Sequence, residues 1–148
     1  MEERMDDKKG LAIALEEARA GSAAGGIPFV CPSQIATARI RRDTVALVSS
    51  LAIALTQSQA EIAALENAGR QPAHVYRDAT MYTTLSPCDM CSGACLLFGV
   101  KRVVMGENST FVGGEELLRQ RGVEVVNLGS RECEALMQAF VKEHPEIW

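Results

Sequence analysis

The spacing of apolar residues along the chain predicts a series of helices. Residues 10–20 (GLAIALEEARA) place apolar side chains on one helical face and lead into a glycine-rich turn. Residues 57–68 are rich in helix formers, and Gly69 occupies the place where a helix C-terminus favours a left-handed residue. Two more helices are predicted at residues 115–121 and 131–143.

Short runs of β-prone residues alternate with these helices. We predict strands at residues 80–85 (TMYTTL), 102–106 (RVVMG) and 123–127 (VEVVN). A further helix at residues 88–98 follows the first strand, and the chain enters it through Ser86-Pro87 and leaves it at Gly99. The alternation from residue 57 onward favours an α/β domain with largely parallel strands.

One segment departs from this pattern. Residues 27–59 contain a single acidic residue, Asp43, and no glycine or asparagine, although the chain has 19 acidic residues and 12 glycines. A β-hairpin in this segment would lack its usual turn residues. We therefore expect one domain over residues 1–148 with an atypical segment at residues 29–59.

Composition and charge narrow the range of functions. A hydrophobic content of 47% with 23% charged residues is typical of a globular domain, and a net charge of −4 without a basic run argues against a nucleic-acid partner. The longest nearly apolar run, residues 45–55, is shorter than the ~20 residues of a membrane span, so no membrane partner is expected. The charged N-terminus is unlike a secretion signal. These features predict a cytoplasmic protein, without excluding the nucleus.

The cysteines are the first candidates for functional residues. The chain has five, an odd number, which in an intracellular protein favours thiols or metal ligands over disulfides. Cys88 and Cys91 have the C-x-x-C spacing that lets two thiolates reach one metal from the first turn of a helix. Alone, this motif fits half a zinc site, a redox pair or two packed cysteines. Cys95, one turn later, is expected to face the core, and Cys31 and Cys133 lack metal-like spacing.

Glu61 is a candidate proton shuttle. Zinc deaminases place a His or Cys two residues before a glutamate and add P-C-x-x-C from a second helix, and the glutamate transfers protons without binding the metal. Glu61 precedes Pro87 by 26 residues, which leaves room for a helix, a loop and a strand. By itself Glu61 is typical of a solvated helix residue. Together with the P-C-x-x-C motif it favours a zinc deaminase.

Longer motifs carry a closer resemblance. The stretches GLAIALEEARAGSAAGGIP (residues 10–28), AEIAALENAGR, TMYTTLSPCDMCSGACLLFGVKRVVMGENSTF and KEHPEIW together resemble the fungal, yeast-type cytosine deaminases of the cytidine/deoxycytidylate deaminase-like superfamily. The resemblance implies a three-layer α/β/α sandwich around a mixed five-stranded sheet, a homodimer, and a free pyrimidine base as the substrate. The implied reaction is the zinc-dependent hydrolysis of cytosine to uracil and ammonia, a step of pyrimidine salvage.

The resemblance also assigns roles to residues. It implies a zinc ion held by Cys88, Cys91 and the residue two positions before Glu61, with Glu61 as the catalytic proton shuttle. It implies substrate contacts from Ala60, Ser86, Phe111 and Trp148, with the two aromatic side chains closing over the base. Without the resemblance, Phe111 would be interpreted as a core residue and Trp148 as a terminal aromatic that docks the last helix.

The sequence also departs from the family pattern. Gln59 occupies the position of the expected zinc-binding histidine, and a neutral amide oxygen is a poor partner for zinc beside two thiolates. His74, in a loop-like QPAHVY, and His144, at the expected end of the last helix, are not placed by sequence to replace it. Residues 29–59 contain no asparagine to match the one that binds pyrimidine in the family, and no acidic tail follows Trp148.

Two hypotheses of function follow. The first is an active zinc-dependent cytosine deaminase. The second, favoured by Gln59 and the segment before it, is a catalytically inactive dimer with the same fold, or the product of an altered exon boundary or frameshift. A redox protein that uses Cys88 and Cys91 has only the cysteine spacing in its favour. Metal content and ammonia release from cytosine would discriminate among these hypotheses.

Overall fold

The computed structural model describes residues 6–23, 39–41, 44–48, 62, 64–65 and 68–148. The helices are α1 (Asp7–Ala23), α2 (Ala73–Arg77), α3 (Asp89–Phe98), α4 (Glu115–Gln120) and α5 (Arg131–Glu143). The strands are β1 (Arg39–Arg41), β2 (Thr44–Val48), β3 (Thr80–Leu85), β4 (Arg102–Glu107) and β5 (Glu124–Asn127). Ile62, Ala64, Leu65 and Ala68 are helical as well. Across these ranges, no helix combines the length and apolar character that crossing a membrane requires.

The strands lie in one sheet in the order β1-β2-β3-β4-β5. β1 and β2 are antiparallel, whereas β2, β3, β4 and β5 are parallel neighbours. Since parallel strands end at the same edge of a sheet, β3 and β4 lead into Ser86 and Asn108 on one side of the molecule. The predicted α/β fold with largely parallel strands is confirmed.

Helices cover both faces of the central strands, because successive side chains of a strand point to opposite faces. Met81 of β3 belongs to a buried apolar cluster with Cys95 of α3 and Leu118 of α4. The next residue, Tyr82, belongs to a second buried cluster with Ala14 of α1. The expectation that Cys95 faces the core is therefore confirmed.

A buried ion pair holds α1 against the sheet. The Arg102 side chain is 10% exposed and donates to both carboxylate oxygens of Asp7, at 2.6 and 2.8 Å. It also donates to Glu124 of β5 at 3.1 Å, and the Tyr82 hydroxyl donates to Asp7 at 3.1 Å. The hydrogen bond to Asp7 is the main reason that the pKa of Arg102 is raised, so the guanidinium keeps its charge.

The helices and strands predicted from the sequence agree with most of the described chain. β3 and α5 have the predicted bounds, and Gly99 ends α3 in the left-handed conformation with φ 81°. Gly69 is also left-handed, with φ 69°. The prediction of a loop around His74 is wrong, because α2 forms there. This helix of five residues is too short to display a helical period in the sequence.

The atypical segment contains a strand pair. Arg41 of β1 lies opposite Thr44 of β2, which leaves two residues for the connection. We expected the missing turn residues to disfavour a hairpin in this segment. The antiparallel pairing of β1 and β2 shows that this expectation is wrong for these two strands. β2 also has a parallel partner in β3, and pairing on both sides offsets a weak turn. The rest of residues 29–59 lies outside the described residues, so its departure from the family hairpin stays a prediction.

Candidate functional site

The cysteine pair lies where the chain passes from β3 into α3. Cys88 is the N-cap of α3, and the Cys91 N–H donates to the Cys88 Sγ at 3.4 Å. Cys91 is buried and Cys88 is partly exposed. The N–H groups and partial positive charge of a helix N-terminus favour the thiolate, the form that binds a metal. Both predicted ligands therefore lie on the first turn of one helix.

Ser86 precedes this turn and is held by its neighbours. Its backbone N–H donates to the Glu107 carbonyl at 3.0 Å. Its hydroxyl donates to Glu115 Oε1 at 2.8 Å and accepts the Gly113 N–H at 3.0 Å. The hydroxyl therefore has a protein donor and a protein acceptor, which connect it to the residues after β4. A substrate contact by Ser86 stays a prediction.

The loop at residues 108–114 packs directly on the stretch from Pro87 to Cys91, which we call the cysteine turn. Gly114 donates its N–H to the Pro87 carbonyl at 2.8 Å. A Cβ added at Gly113 would clash with that same carbonyl and lie 3.0 Å from the Cys88 Cα, and one at Gly114 would lie 2.5 Å from Ser92 Oγ. Only glycine permits this close approach of the two backbones. The loop and the predicted metal ligands therefore form one packed unit.

Two buried carboxylates bracket this loop. Glu107, at the end of β4, accepts the N–H groups of Ser109 and Thr110 at 2.7 and 3.0 Å. Glu115, at the start of α4, accepts from the Asn108 side chain at 3.1 Å as well as from Ser86. The stretch quoted for the family resemblance includes Glu107 and Asn108 but ends at Phe111, so sequence reasoning missed Glu115 and Gly113. The Gly-Gly-Glu run at residues 113–115 was the available signal, because paired glycines mark close backbone contact.

The loop also carries one member of an aromatic pair. Phe111 and Trp148 meet edge to face, with ring centroids 6.1 Å apart and planes at 81°. Phe111 is 36% exposed and Trp148 is 44% exposed, so the interpretation of Phe111 as a core residue is wrong. The structure brings together the two aromatic residues assigned to substrate closure, which are 37 positions apart in sequence. Their role in binding stays a prediction.

A cleft of about 390 Å³ opens beside Trp148, between the loop and α5. Its lining residues are Ser109, Thr110, Glu134, Gln138, Val141, Lys142 and Trp148. No cysteine lines it, so this cleft is separate from the cysteine turn. We therefore do not assign the metal to it.

The remaining site predictions fall on Gln59, Ala60 and Glu61, which lie outside the described residues. Among the described residues, no group of three His, Cys, Asp or Glu side chains could hold a metal. His144 is the C-cap of α5, as predicted, and its Nδ1 lies 3.4 Å from Glu146. The described part of the site thus contains the two predicted sulfur ligands, whose position on one helical turn is compatible with zinc.

Comparison with known proteins identifies the family. Residues 5–107 match the model of the cytidine and deoxycytidylate deaminase zinc-binding region. The chain is 50% identical over 147 residues to the cytosine deaminase of Candida albicans. The aligned region covers 97% of this chain and 94% of that protein. It is 35% identical over 86 residues to the deoxycytidylate deaminase of Enterobacteria phage T4, or 57% of this chain and 44% of that protein.

A solved structure supports the fold. It is a complex with 2,6-diaminopurine that matches 91% of this chain and 81% of its own, with a TM-score of 0.57 and 21% sequence identity. The region matched by the family model includes Cys88 and Cys91 and is named for zinc binding, so zinc is the metal of this region. The chain belongs to the cytidine and deoxycytidylate deaminase family.

Proposed function

We propose that this protein is a zinc-dependent hydrolase that converts cytosine and water to uracil and ammonia, as a step of pyrimidine salvage. The observation that carries the proposal is 50% identity, over nearly the whole of both chains, to a cytosine deaminase. The arrangement of Cys88 and Cys91 on the first turn of α3 supports it, since two thiolates spaced C-x-x-C at a helix N-terminus can reach one metal.

Each residue of the proposed site has a distinct task. Cys88 and Cys91 bind zinc, and position 59 lies where a third ligand would be required. When bound, zinc supplies a Lewis acid that activates water. Glu61 carries two protons in turn, the first from the attacking water to the ring nitrogen and the second from the hydroxyl group formed at C4 to the departing amine. Ser86 and the backbone at Ala60 and Cys88 contact the pyrimidine or its amine.

The aromatic pair closes the proposed site. Phe111 and Trp148 are in contact and half exposed, so an apolar base can be covered without opening the core. Covering the base excludes water, which strengthens electrostatic interactions with the reacting groups. A flat, small pyrimidine base fits this arrangement better than a nucleotide, whose sugar and phosphate need further polar contacts.

We assign the whole chain, residues 1–148, to one domain with a three-layer α/β/α architecture around a mixed five-stranded sheet. The two apolar clusters on opposite faces of β3 support the layers, and the strand order supports the sheet. Residues 29–59 form the atypical part of this domain. Gln59 lies within it, so this segment determines how tightly the metal is held.

The protein is proposed to work as a homodimer. The exposed side of α3 is apolar, with Met90 52% exposed, Leu97 83% exposed and Phe98 38% exposed. Met90 and Leu97 are seven residues apart and therefore lie on one face of the helix. Large exposed apolar side chains on one face of a helix favour an interface with a second copy of the chain.

Ammonia release is the direct test of the proposed activity. The purified protein, supplied with zinc, should release ammonia from cytosine and much less from cytidine or deoxycytidylate. Glu61→Gln keeps the size of the side chain but cannot shuttle protons, so it should lower kcat by about 10²–10⁴-fold. Release of no ammonia from cytosine at saturating zinc would favour the inactive deaminase-fold dimer, which Gln59 supports, over the enzyme.

A further inference from the structure

Glu115 lies at the meeting point of the cysteine turn and the loop that carries Phe111. Its carboxylate accepts the Ser86 hydroxyl at 2.8 Å and the Asn108 side-chain amide at 3.1 Å. Arg119, one turn later on α4, donates to its second oxygen at 3.2 Å. Its side chain is 5% exposed, although a glutamate at the start of a helix is ordinarily solvated.

The partners of Glu115 connect three parts of the site. Ser86 and Pro87 lead into Cys88, Asn108 opens the loop at residues 108–114, and Gly113 donates its N–H to the Ser86 hydroxyl at 3.0 Å. Asn108 in turn accepts the Asn127 side-chain amide at 2.9 Å, which extends the network to the end of β5. Buried hydrogen-bonded networks of this kind fix one arrangement of the groups they join.

We propose that Glu115 is a positioning residue that fixes the Phe111 loop relative to the cysteine turn. The geometry of the Glu115 contacts does not depend on what the protein does. The effect on catalysis rests on the proposed deaminase function. The loop contacts Pro87 and Cys88 through glycine backbone, and the Gly114 N–H to the Pro87 carbonyl is a direct bond across this contact. The carboxylate of Glu115 adds side-chain bonds to it, by holding Ser86 on one side of the contact and Asn108 on the other.

In the proposed reaction, the position of the loop determines how the substrate base is covered. Phe111 contacts Trp148 from this loop, so a displaced loop would open the aromatic cover above the substrate. Truncation of Glu115 would also leave the buried Ser86 hydroxyl without its acceptor, which destabilises the packed arrangement. Loss of Glu115 should therefore weaken substrate binding as well as turnover.

The first experiment uses Trp148, the only tryptophan of the chain, as a reporter of loop position. Glu115→Ala should increase acrylamide quenching of Trp148 fluorescence and shift its emission to longer wavelength, because the Phe111 contact is loosened. The matched control is Glu116→Ala, the neighbouring exposed residue, whose carboxylate accepts a hydrogen bond from Gln120 at 3.2 Å. Equal quenching in the two variants, at a temperature where both are folded, would overturn the proposal.

The second experiment separates positioning from general destabilisation. With cytosine and saturating zinc, Glu115→Ala should raise KM and lower kcat/KM by about 10–100-fold, whereas Glu116→Ala leaves both unchanged. A merely structural role would reduce the active fraction and leave KM as it was. Glu115→Gln retains an acceptor for the Ser86 hydroxyl and should recover part of the loss. If wild type itself is inactive on cytosine, the proposed function fails, and the fluorescence result still decides the position of the loop.

Discussion

The surroundings of each thiol decide which cysteines can bind a metal. Burial raises the pKa of the Cys133 thiol, so it stays protonated near neutral pH. Cys95 lies in the apolar cluster below the sheet. Cys88 and Cys91 instead lie at the N-terminus of α3, where the partial positive charge of a helix favours a metal-bound thiolate. At the scale of single residues, the C-x-x-C pair is thus the part of the described chain that we expect to bind zinc.

Gln59→His should strengthen zinc binding. An imidazole nitrogen is a common zinc ligand, whereas a glutamine amide oxygen is neutral and weakly basic. We expect an affinity gain of about 10–100-fold or more, measured by competition with a chromophoric chelator. Turnover at saturating zinc should change little, because residues 29–59 still lack an asparagine for the pyrimidine.

Gln57→His is the control for this substitution, since it adds a histidine two positions from the expected ligand site. An equal gain in both variants would contradict the assignment of position 59. A large rise in maximal turnover for Gln59→His would instead show that residues 29–59 already supply the substrate pocket.

At the scale of elements, β4 and α5 approach each other at a glycine. A Cβ added at Gly106 would lie 2.5 Å from Cys133 Sγ and 2.7 Å from the Thr84 carbonyl oxygen. The Ser130 N–H also donates to the Gly106 carbonyl at 2.7 Å, just before α5 begins. This contact sets where α5 lies relative to the end of β4 and to the loop that follows.

Gly106→Ala should lower the free energy of unfolding by about 1–3 kcal/mol, because the added methyl group forces the backbone of β3 or the side chain of Cys133 to shift. Gly93→Ala is the matched control. Gly93 lies inside α3 and its added Cβ would meet nothing within 4 Å in the single chain, so alanine should stabilise the monomer by about 0.5–1 kcal/mol through helix propensity. Urea denaturation measures both changes, and a stable Gly106→Ala variant would contradict the packing.

The elements that could be predicted are those whose signal is local. Capping and turn residues such as Gly69 and Gly99, and the run of β3, are read from a few neighbouring positions. The short helix α2 and the β1-β2 pair could not be predicted, because tertiary contacts stabilise them against weak local signals. The role of Glu115 depends on contact with Ser86, 29 positions away, which no sequence spacing reveals.

At the scale of the whole molecule, the single chain leaves an apolar side of α3 exposed to solvent. Leu97 is 83% exposed, more than any other exposed large hydrophobic side chain among the described residues. Burying such side chains between two copies of the chain would stabilise an assembly by about 25 cal/mol per Å² of apolar surface removed from water. The proposed homodimer accounts for this surface.

Leu97→Lys should therefore shift the protein toward monomer, because a charge would be buried in the interface. Sedimentation velocity over a range of concentrations measures the shift. Gln138→Lys, an exposed position on α5, introduces the same side chain away from α3 and should leave the assembly unchanged. Unaltered dimerisation of Leu97→Lys would exclude this face of α3 as the interface.

The central claim is that zinc held by the cysteine turn drives deamination of cytosine, and a zinc titration of ammonia release tests it most directly. Wild type should release ammonia from cytosine at a rate that rises with zinc to a plateau and is abolished by a mild chelator. Cys88→Ser keeps an N-cap oxygen for α3 but removes the thiolate, so it should stay folded and need far more zinc. A wild-type rate that does not depend on zinc, or a Cys88→Ser titration identical to wild type, would contradict the account.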